Sequence, residues 1–386
     1  MSKTKETNRG DQSTHPTQKI MAHAPGRINI IGEHTDYNGG LVLPAAIDQK
    51  ATFQIHANSS SSTAAVTATD LNETFHFDLQ NFSPAKDPSW ANYIMGVVHE
   101  LQKTGGPMTG FSAAFSSNVP VGAGMSSSAA LECSFAFTLN ELFALGLDKW
   151  QLIKACQMAE HHFVGIKCGI MDQFASIMGR RGHAMLLDCR SPEYAYIPCD
   201  LGDGQFLLLN TNVSHALATS EYNKRRAECE EGVAILQKAG LEISSLRDLT
   251  LDLLTDQEAQ LPALIYNRCL HVVTENDRVL AAAAALKNKD LATLGRLMYE
   301  SHFSLRNDYE VSCPELDFLV NATLDDDCVL GSRMMGGGFG GCTINLIKKE
   351  EVDAFVEQVS EQYFQAFGKD LTPYSVRIGD GAGLAG

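Results

Sequence analysis

Residues Pro120–Ala130 read PVGAGMSSSAA. The stretch carries no charge, few sizeable apolar side chains, and two glycines ahead of three serines. A loop this bare seldom packs a core. From Ser127 onward, Leu131, Phe135, Leu139 and Leu142 recur on one helical face. The stretch is therefore predicted to be a flexible turn that runs into the start of a helix. Free backbone N–H groups and the positive end of a helix dipole then meet at one spot, a combination that cradles phosphate. Gly122 and Gly124 would let the main chain approach a ligand with no Cβ in the way. Ser126, Ser127 and Ser128 add hydroxyls for phosphate oxygens or Mg²⁺. No Gly-Lys-Ser/Thr follows, so this is not a Walker A loop. Ser127 holds the place of the third glycine of G-x-G-x-x-G, so it is not that motif either. A serine-capped helix after a flexible turn would use the same residues.

Working outward, FSAAFSSNVP reads as a strand leading into the loop. WANYIMGVVHELQKTGG has helical periodicity and stops on Gly105–Gly106. Further upstream, INIIG (28–32) and LVLPAAI (41–47) read as short strands around a polar turn, and ATFQIHA and ETFHFDL alternate as strands. Downstream, a second helix covers 149–164, HAMLLDC and QFLLLNTN read as strands, and helices dominate 221–300. CTINLI (342–347) is a predicted strand, followed by a helix at 350–367 and a strand PYSVRIG. Strands and helices mix without regular βαβ alternation, which predicts an α+β fold. The 386 residues exceed one usual core. Composition shifts near 200, so the expected organisation is a tail at 1–19, a first domain at 20–200 and a second at 201–386.

The net charge of −16 argues against nucleic acid or an anionic membrane as partner. An acidic protein can still hold an anionic substrate with backbone amides, local cations or a metal. None of the ten cysteines forms a C-x-x-C pair. Reduced, buried thiols and a cytoplasmic protein are expected. The first 19 residues are polar, without the apolar core of a secretory signal.

Three other places carry candidate chemistry. On helix 149–164 the apolar stripe runs through Ile153, Cys156, Phe163 and Val164, and helical spacing puts Glu160 inside it. A core-facing carboxylate is costly unless paired or metal-bound. Glu160 and a serine hydroxyl could share one Mg²⁺, which favours oxygen ligands and keeps waters; the alternatives are a Glu snorkelling at the stripe's edge or a buried ion pair. In GRINIIGEHTDYNGG, Arg27, Asn29, Glu33, His34, Asp36 and Tyr37 crowd one turn, a set that suits the many hydroxyls of a sugar. In CGIMDQF, Asp172 lies among apolar neighbours as a general base or a helix N-cap. The glycine run of RMMGGGFGGC implies a close approach to a ligand or to another loop.

In this order, GRINIIGEHTDYNGG, PVGAGMSSSAALE, CGIMDQF and MGGGFGGC resemble the galactokinase members of the GHMP small-molecule kinase family. The likeness runs from Ala24 to the C-terminus. Met335 departs from it, standing where these proteins commonly have threonine. The resemblance implies two α+β domains with the active site in the cleft between them. It implies ATP with Mg²⁺ and galactose as acceptor; a monomer is expected, though the residues themselves do not reveal it. ATP would lie on Gly122, Ala123, Gly124, Met125, Ser126, Ser127 and Ser128, with Trp90 near the adenine. Ser128 and Glu160 match the metal ligands. Glu33, His34, Asp36, Gly169 and Tyr222 match the sugar-binding positions. Asp172 matches the base, with Arg27 beside it.

Overall fold

The computed structural model describes residues 19–58, 61–106, 108–191, 193–213 and 218–385. The expected tail lies outside them apart from Lys19, which opens the first strand.

The chain begins with β1 (Lys19–Asn29), β2 (Leu41–Val42) and β3 (Pro44–Asn58). The strand predicted at 28–32 instead ends at Asn29, because the turn at Gly32 (φ +105°) breaks extended pairing. The strand predicted at 41–47 divides at Leu43. Leu41 and Val42 pair with residues 187–188, whereas Pro44 onward pairs with β1. Pro44 has no N–H to donate and stands at a strand's first position, where that loss is tolerated. ATFQIHA is the continuation of β3 and not a separate strand.

Then come β4 (Thr63–Ala68), β5 (Glu73–Asp78), α1 (Trp90–Gly105) and β6 (Gly110–Ser117). After the bare loop stand α2 (Ser127–Leu142), α3 (Lys149–Ala159) and α4 (Met171–Met178), then β7 (His183–Asp188) and β8 (Tyr194–Pro198). The predicted helix 149–164 is regular only to Ala159. A single wide turn, Glu160–Val164, completes it, closed by Gly165 N–H donating to the Glu160 carbonyl at 2.8 Å. Such turns push one residue out of the ordinary helical rotation.

The second half comprises β9 (Gly204–Asn210), α5 (Ala218–Lys238), α6 (Leu251–Asp256), α7 (Ala263–Lys287), α8 (Leu291–Asn307) and α9 (Pro314–Asn321). It closes with β10 (Val329–Met335), β11 (Cys342–Lys348), α10 (Val352–Phe367), β12 (Thr372–Ser375) and β13 (Gly383–Leu384).

Among the described residues three sheets result, ordered β13-β1-β3-β6-β4-β5, β2-β7-β8 and β10-β11-β9-β12. Every pair is antiparallel except β4 with β6. The fold is α+β, as predicted. Helices α2 and α4 cover β1 and β3, with α1 and α3 outside them, and α8 covers β10. Phe53, Phe111 and Phe135 pack between the six-stranded sheet and α2, and burying each stabilises by about 1.5–3 kcal/mol. A second core draws on both sides of residue 200, with Ile28, Met125 and Ala130 against Leu208, Met298 and Ile344. The far end of the sequence also returns to the first sheet. Ala22 pairs with Leu384, and Gly379, Gly381 and Ala382 donate to the carbonyls of Ala46, Gly179 and Ser176.

Where α8 crosses β10, the contact is glycine on glycine. A Cβ on Gly295 would lie 1.8 Å from the Leu330 carbonyl oxygen. Gly295→Ala is expected to push α8 off the sheet and destabilise the fold by about 3 kcal/mol. A thermal midpoint unchanged from that of the parent chain would contradict this packing.

Candidate active site

β1 delivers Arg27 to the bare loop, and the first turn of α4 delivers Asp172 to the same place. Arg27 Nε and Nη2 donate to Asp172 Oδ1 at 2.8 Å and Oδ2 at 3.0 Å. The Arg27 main-chain N–H donates to the Met125 carbonyl at 3.1 Å, and Nη1 donates to the Gly124 carbonyl. The Ser126 hydroxyl donates to Asp172 Oδ2. Ser126 thus spends its proton on Asp172. Asp172 is not the helix cap, which is Ile170. The Arg27 side chain is 5% exposed and that of Asp172 30%, so the carboxylate faces open space and the guanidinium backs it. Burial works to lower the pKa of Arg27, but Asp172 and Glu33 outweigh it and raise it.

The turn 32–41 is gripped from the second half of the chain. Gly32 N–H donates to Glu275 Oε1 at 2.9 Å, and Leu41 N–H to Asn276 Oδ1 at 2.7 Å. His271 Nε2 donates to the Glu33 carbonyl at 3.1 Å. Arg333 is wholly buried and donates to the carbonyls of Ile30 at 2.8 Å and Asn29 at 2.6 Å, and to Glu33 Oε1 at 3.0 Å. Sequence reading missed these four. The available signal was charge or amide inside apolar text, Glu275 and Asn276 in HVVTEN and Arg333 in VLGSRMM. Glu33 Oε1 also accepts from Gly336 N–H at 2.7 Å.

Asp36 accepts from Tyr37 N–H at 2.9 Å and Met171 N–H at 3.5 Å. Its carboxylate lies against Gly169, where a Cβ would be 1.9 Å from Oδ2. Burial, then Asp172, pushes the Asp36 carboxyl up to about 6. The His34 ring lies against that of Tyr222, tilted by 41° with centroids 5.4 Å apart. Burial takes His34 down to about 3, so its ring stays neutral. Glu33, His34, Asp36, Gly169 and Tyr222 all line one cavity of about 130 Å³, together with Arg27, Asp172 and Glu160.

A second hollow of about 350 Å³ opens beside the loop, lined by Trp90, Tyr93, Leu71, Val121, Ser127 and Ser128. Trp90 meets Phe75 and Phe115 edge-on and donates from Nε1 to Glu73 Oε2 at 2.9 Å. It is both packed and at a ligand-sized opening. Val121 is 88% exposed, an apolar rim without cover. The loop residues divide sharply. The side chains of Ala123 and Met125 are buried in the shared core, so only their main chain can face a ligand. Gly122 has open space where a Cβ would be. At Gly124 that position is 2.9 Å from the Met335 carbonyl. The missing side chain of Gly124 thus leaves room for the end of β10 just ahead of the glycine run.

Glu160 stands between the two hollows. It lines the first, where its Oε1 accepts from Gln173 Nε2 at 3.4 Å, and it feels the Ser128 hydroxyl, which lines the second. Burial and then Asp172 push Glu160 up to about 7, opposed by Ser128. Glu132, one helical turn beyond Ser128, is fully buried and forced well above the usual carboxylate range by burial and Glu160. Among the described residues, no group of three or more His, Cys, Asp or Glu side chains is placed to hold a metal. Nor is any helix long and apolar enough to cross a membrane.

Comparison with known proteins agrees with this geometry. Residues 92–180 match the GHMP kinases N terminal domain, 12–56 the galactokinase galactose-binding signature, and 282–365 the GHMP kinases C terminal domain. The chain is 41% identical over 378 residues to a galactokinase of Fusobacterium nucleatum, covering 93% of each. It is 42% identical over 362 residues to one of Thermotoga maritima, covering 94% of this chain and 99% of that protein. The crystal structure of Lactococcus lactis galactokinase complexed with galactose superposes with a TM-score of 0.92 at 34% identity, over 95% of each chain. Mevalonate kinase of Methanococcus jannaschii, at 18% identity and a TM-score of 0.67, shares the fold. With the sugar signature and the serine loop meeting at Arg27 and Asp172, and with galactokinase relatives covering 93% or more of it, the chain belongs to the galactokinases of the GHMP kinase family.

Proposed function

We propose that the chain transfers the γ-phosphoryl group of ATP to the C1 hydroxyl of α-D-galactose, giving galactose 1-phosphate. The carrying observation is the two-pronged Arg27–Asp172 pair, set where the sugar cavity adjoins the serine loop. Glu33 and Asp36 accept hydrogen bonds from sugar hydroxyls, and Tyr222 offers a ring face. Asp172 orients the attacking hydroxyl and accepts its proton. Arg27 keeps that carboxylate in register and faces the charge of the transferring phosphoryl. Loop amides and the helix α2 N-terminus hold the phosphates, and the second hollow takes the adenine beside Trp90.

Ser128 and Glu160 fit the hard oxygen ligands that Mg²⁺ takes alongside nucleotide phosphates and waters. When bound, such an ion would offset charge on the β- and γ-oxygens. The two halves, 20–200 and 201–386, form the walls of the cleft. All ten cysteines are free, which supports a reducing cytoplasmic setting.

Incubation with labelled ATP, Mg²⁺ and a panel of sugars tests this reading. Galactose is expected to be the preferred acceptor, with N-acetylgalactosamine and other small alcohols far behind. Binding of galactose and ATP without labelled product would mark a sensor and not an enzyme. A pH effect follows from Asp36. Its ionised form accepts sugar hydroxyls, and a bound sugar stabilises that form, so affinity is retained above about pH 6 and lost as pH falls through it. Galactose titrations between pH 5 and 8 are expected to show weaker binding at the acid end. A flat profile would remove Asp36 from the contact.

A further inference from the structure

His34 is one of the positions expected to touch the sugar, yet both of its ring nitrogens are taken by the protein. Nε2 lies 3.2 Å from the Gly337 carbonyl oxygen, and Nδ1 lies 2.7 Å from the Tyr37 hydroxyl. The Tyr37 hydroxyl is 2.8 Å from that of Tyr309, which is 3.1 Å from Cys229 Sγ. Tyr309 and Cys229 are completely buried.

Chemistry fixes the direction of every proton in this row. A carbonyl oxygen can only accept, so Nε2 carries the hydrogen. Burial keeps the imidazole neutral, so Nδ1 is an acceptor and Tyr37 must donate to it. With its one proton spent, Tyr37 accepts from Tyr309, and Tyr309 accepts from the Cys229 thiol. The row also joins separate parts of the fold. Cys229 is on α5, Tyr309 follows α8, Tyr37 and His34 are in the sugar turn, and Gly337 is in the glycine run. That run meets the sugar turn again through Gly336 and Glu33, and its Met335 carbonyl abuts Gly124 of the serine loop. The Tyr309 ring is clamped between His34 at 4.9 Å and His271 at 4.6 Å.

The geometry points to Tyr37 and Tyr309 as positioning residues that act through His34: a one-way row of donors locks His34 as its Nε2–H tautomer and braces the sugar turn against the glycine run. This rests on the galactokinase reading only for the choice of sugar. Loss of the row slackens the walls of the sugar cavity and leaves the reacting groups Arg27 and Asp172 untouched.

Two measurements test it. In protein labelled with ¹⁵N in its histidine rings, two-bond ¹H–¹⁵N spectra separate the tautomers, and the His34 signals are assigned by their loss in His34→Gln. The parent chain is expected to show the Nε2–H pattern for His34. Tyr37→Phe is expected to shift the Nδ1 resonance and raise KM for galactose about 5- to 20-fold. KM for ATP and kcat should stay within about threefold, since no group touching the phosphates changes. Tyr309→Phe, the second variant should Tyr37→Phe fail to fold, is expected to move both readings the same way by less. Cys229→Ser retains a donor and is expected to match the parent. An Nδ1–H pattern in the parent, or unchanged galactose KM in the folded tyrosine variants, would overturn the proposal. Should galactose prove not to be the acceptor, the tautomer and its response to Tyr37→Phe still decide the row on their own.

Discussion

Asp172→Asn is expected to lower turnover by about 10²–10⁴-fold while leaving galactose affinity within about threefold of the parent. The structure separates the two effects. Sugar hydroxyls have Glu33 and Asp36 to bind, and neither contacts Asp172 through a hydrogen bond. What the amide loses is the second anionic oxygen, the one that faces Arg27 Nη2 and Ser126. An amide nitrogen there would confront two donors, so the side chain must turn and the attacking hydroxyl loses both its proton acceptor and its alignment. Single-turnover measurements with saturating galactose and ATP, alongside calorimetric galactose titration, provide the check. Turnover lowered only about three- to tenfold would reduce Asp172 to an orienting group. Near-parental turnover would remove it from the mechanism.

Gly169→Ala is expected to raise KM for galactose about 10- to 100-fold, a loss of the size of one charge-assisted hydrogen bond. The added methyl would sit 1.9 Å from Asp36 Oδ2 and 2.0 Å from its Cγ, so the carboxylate must leave its place. Asp36 has no spare room, because main-chain donors at Tyr37 and Met171 hold it from two sides. Arg27, Asp172 and the serine loop are not displaced by this change, so kcat at saturating sugar should fall much less than kcat/KM. Equal losses in both parameters would mean that the methyl disturbs the reacting groups and not the sugar's footing.

Much of this was legible in the residues. Glu160 was readable because a carboxylate at helical spacing within an apolar stripe has few acceptable explanations, and it does lie buried beside Ser128. The serine loop was readable because local rules govern it: glycines, then a helix start. The sugar turn was legible in composition but not in support. Glu275 and Arg333 lie 243 and 300 positions from the turn residues they grip, and no periodicity encodes such a distance. The strand errors have a similar origin. Leu41–Val42 and Pro44–Asn58 look continuous along the chain, and only their partners assign them to different sheets. Gly124 was readable as a place for close approach, but which surface would approach it depends on how β10 docks.

The return of β13 to the edge of β1 bears on how such a chain is made. During synthesis β1 emerges early, while the segment that shields its open edge follows the entire second half. Until then the nascent sheet offers unpaired main-chain groups to any neighbouring strand. A fragment cut after β8 would keep that exposed border and forfeit the apolar partners Leu208, Met298 and Ile344 as well. Expressed by itself, it is expected to clump, and supplying the missing portion as a separate polypeptide should restore solubility.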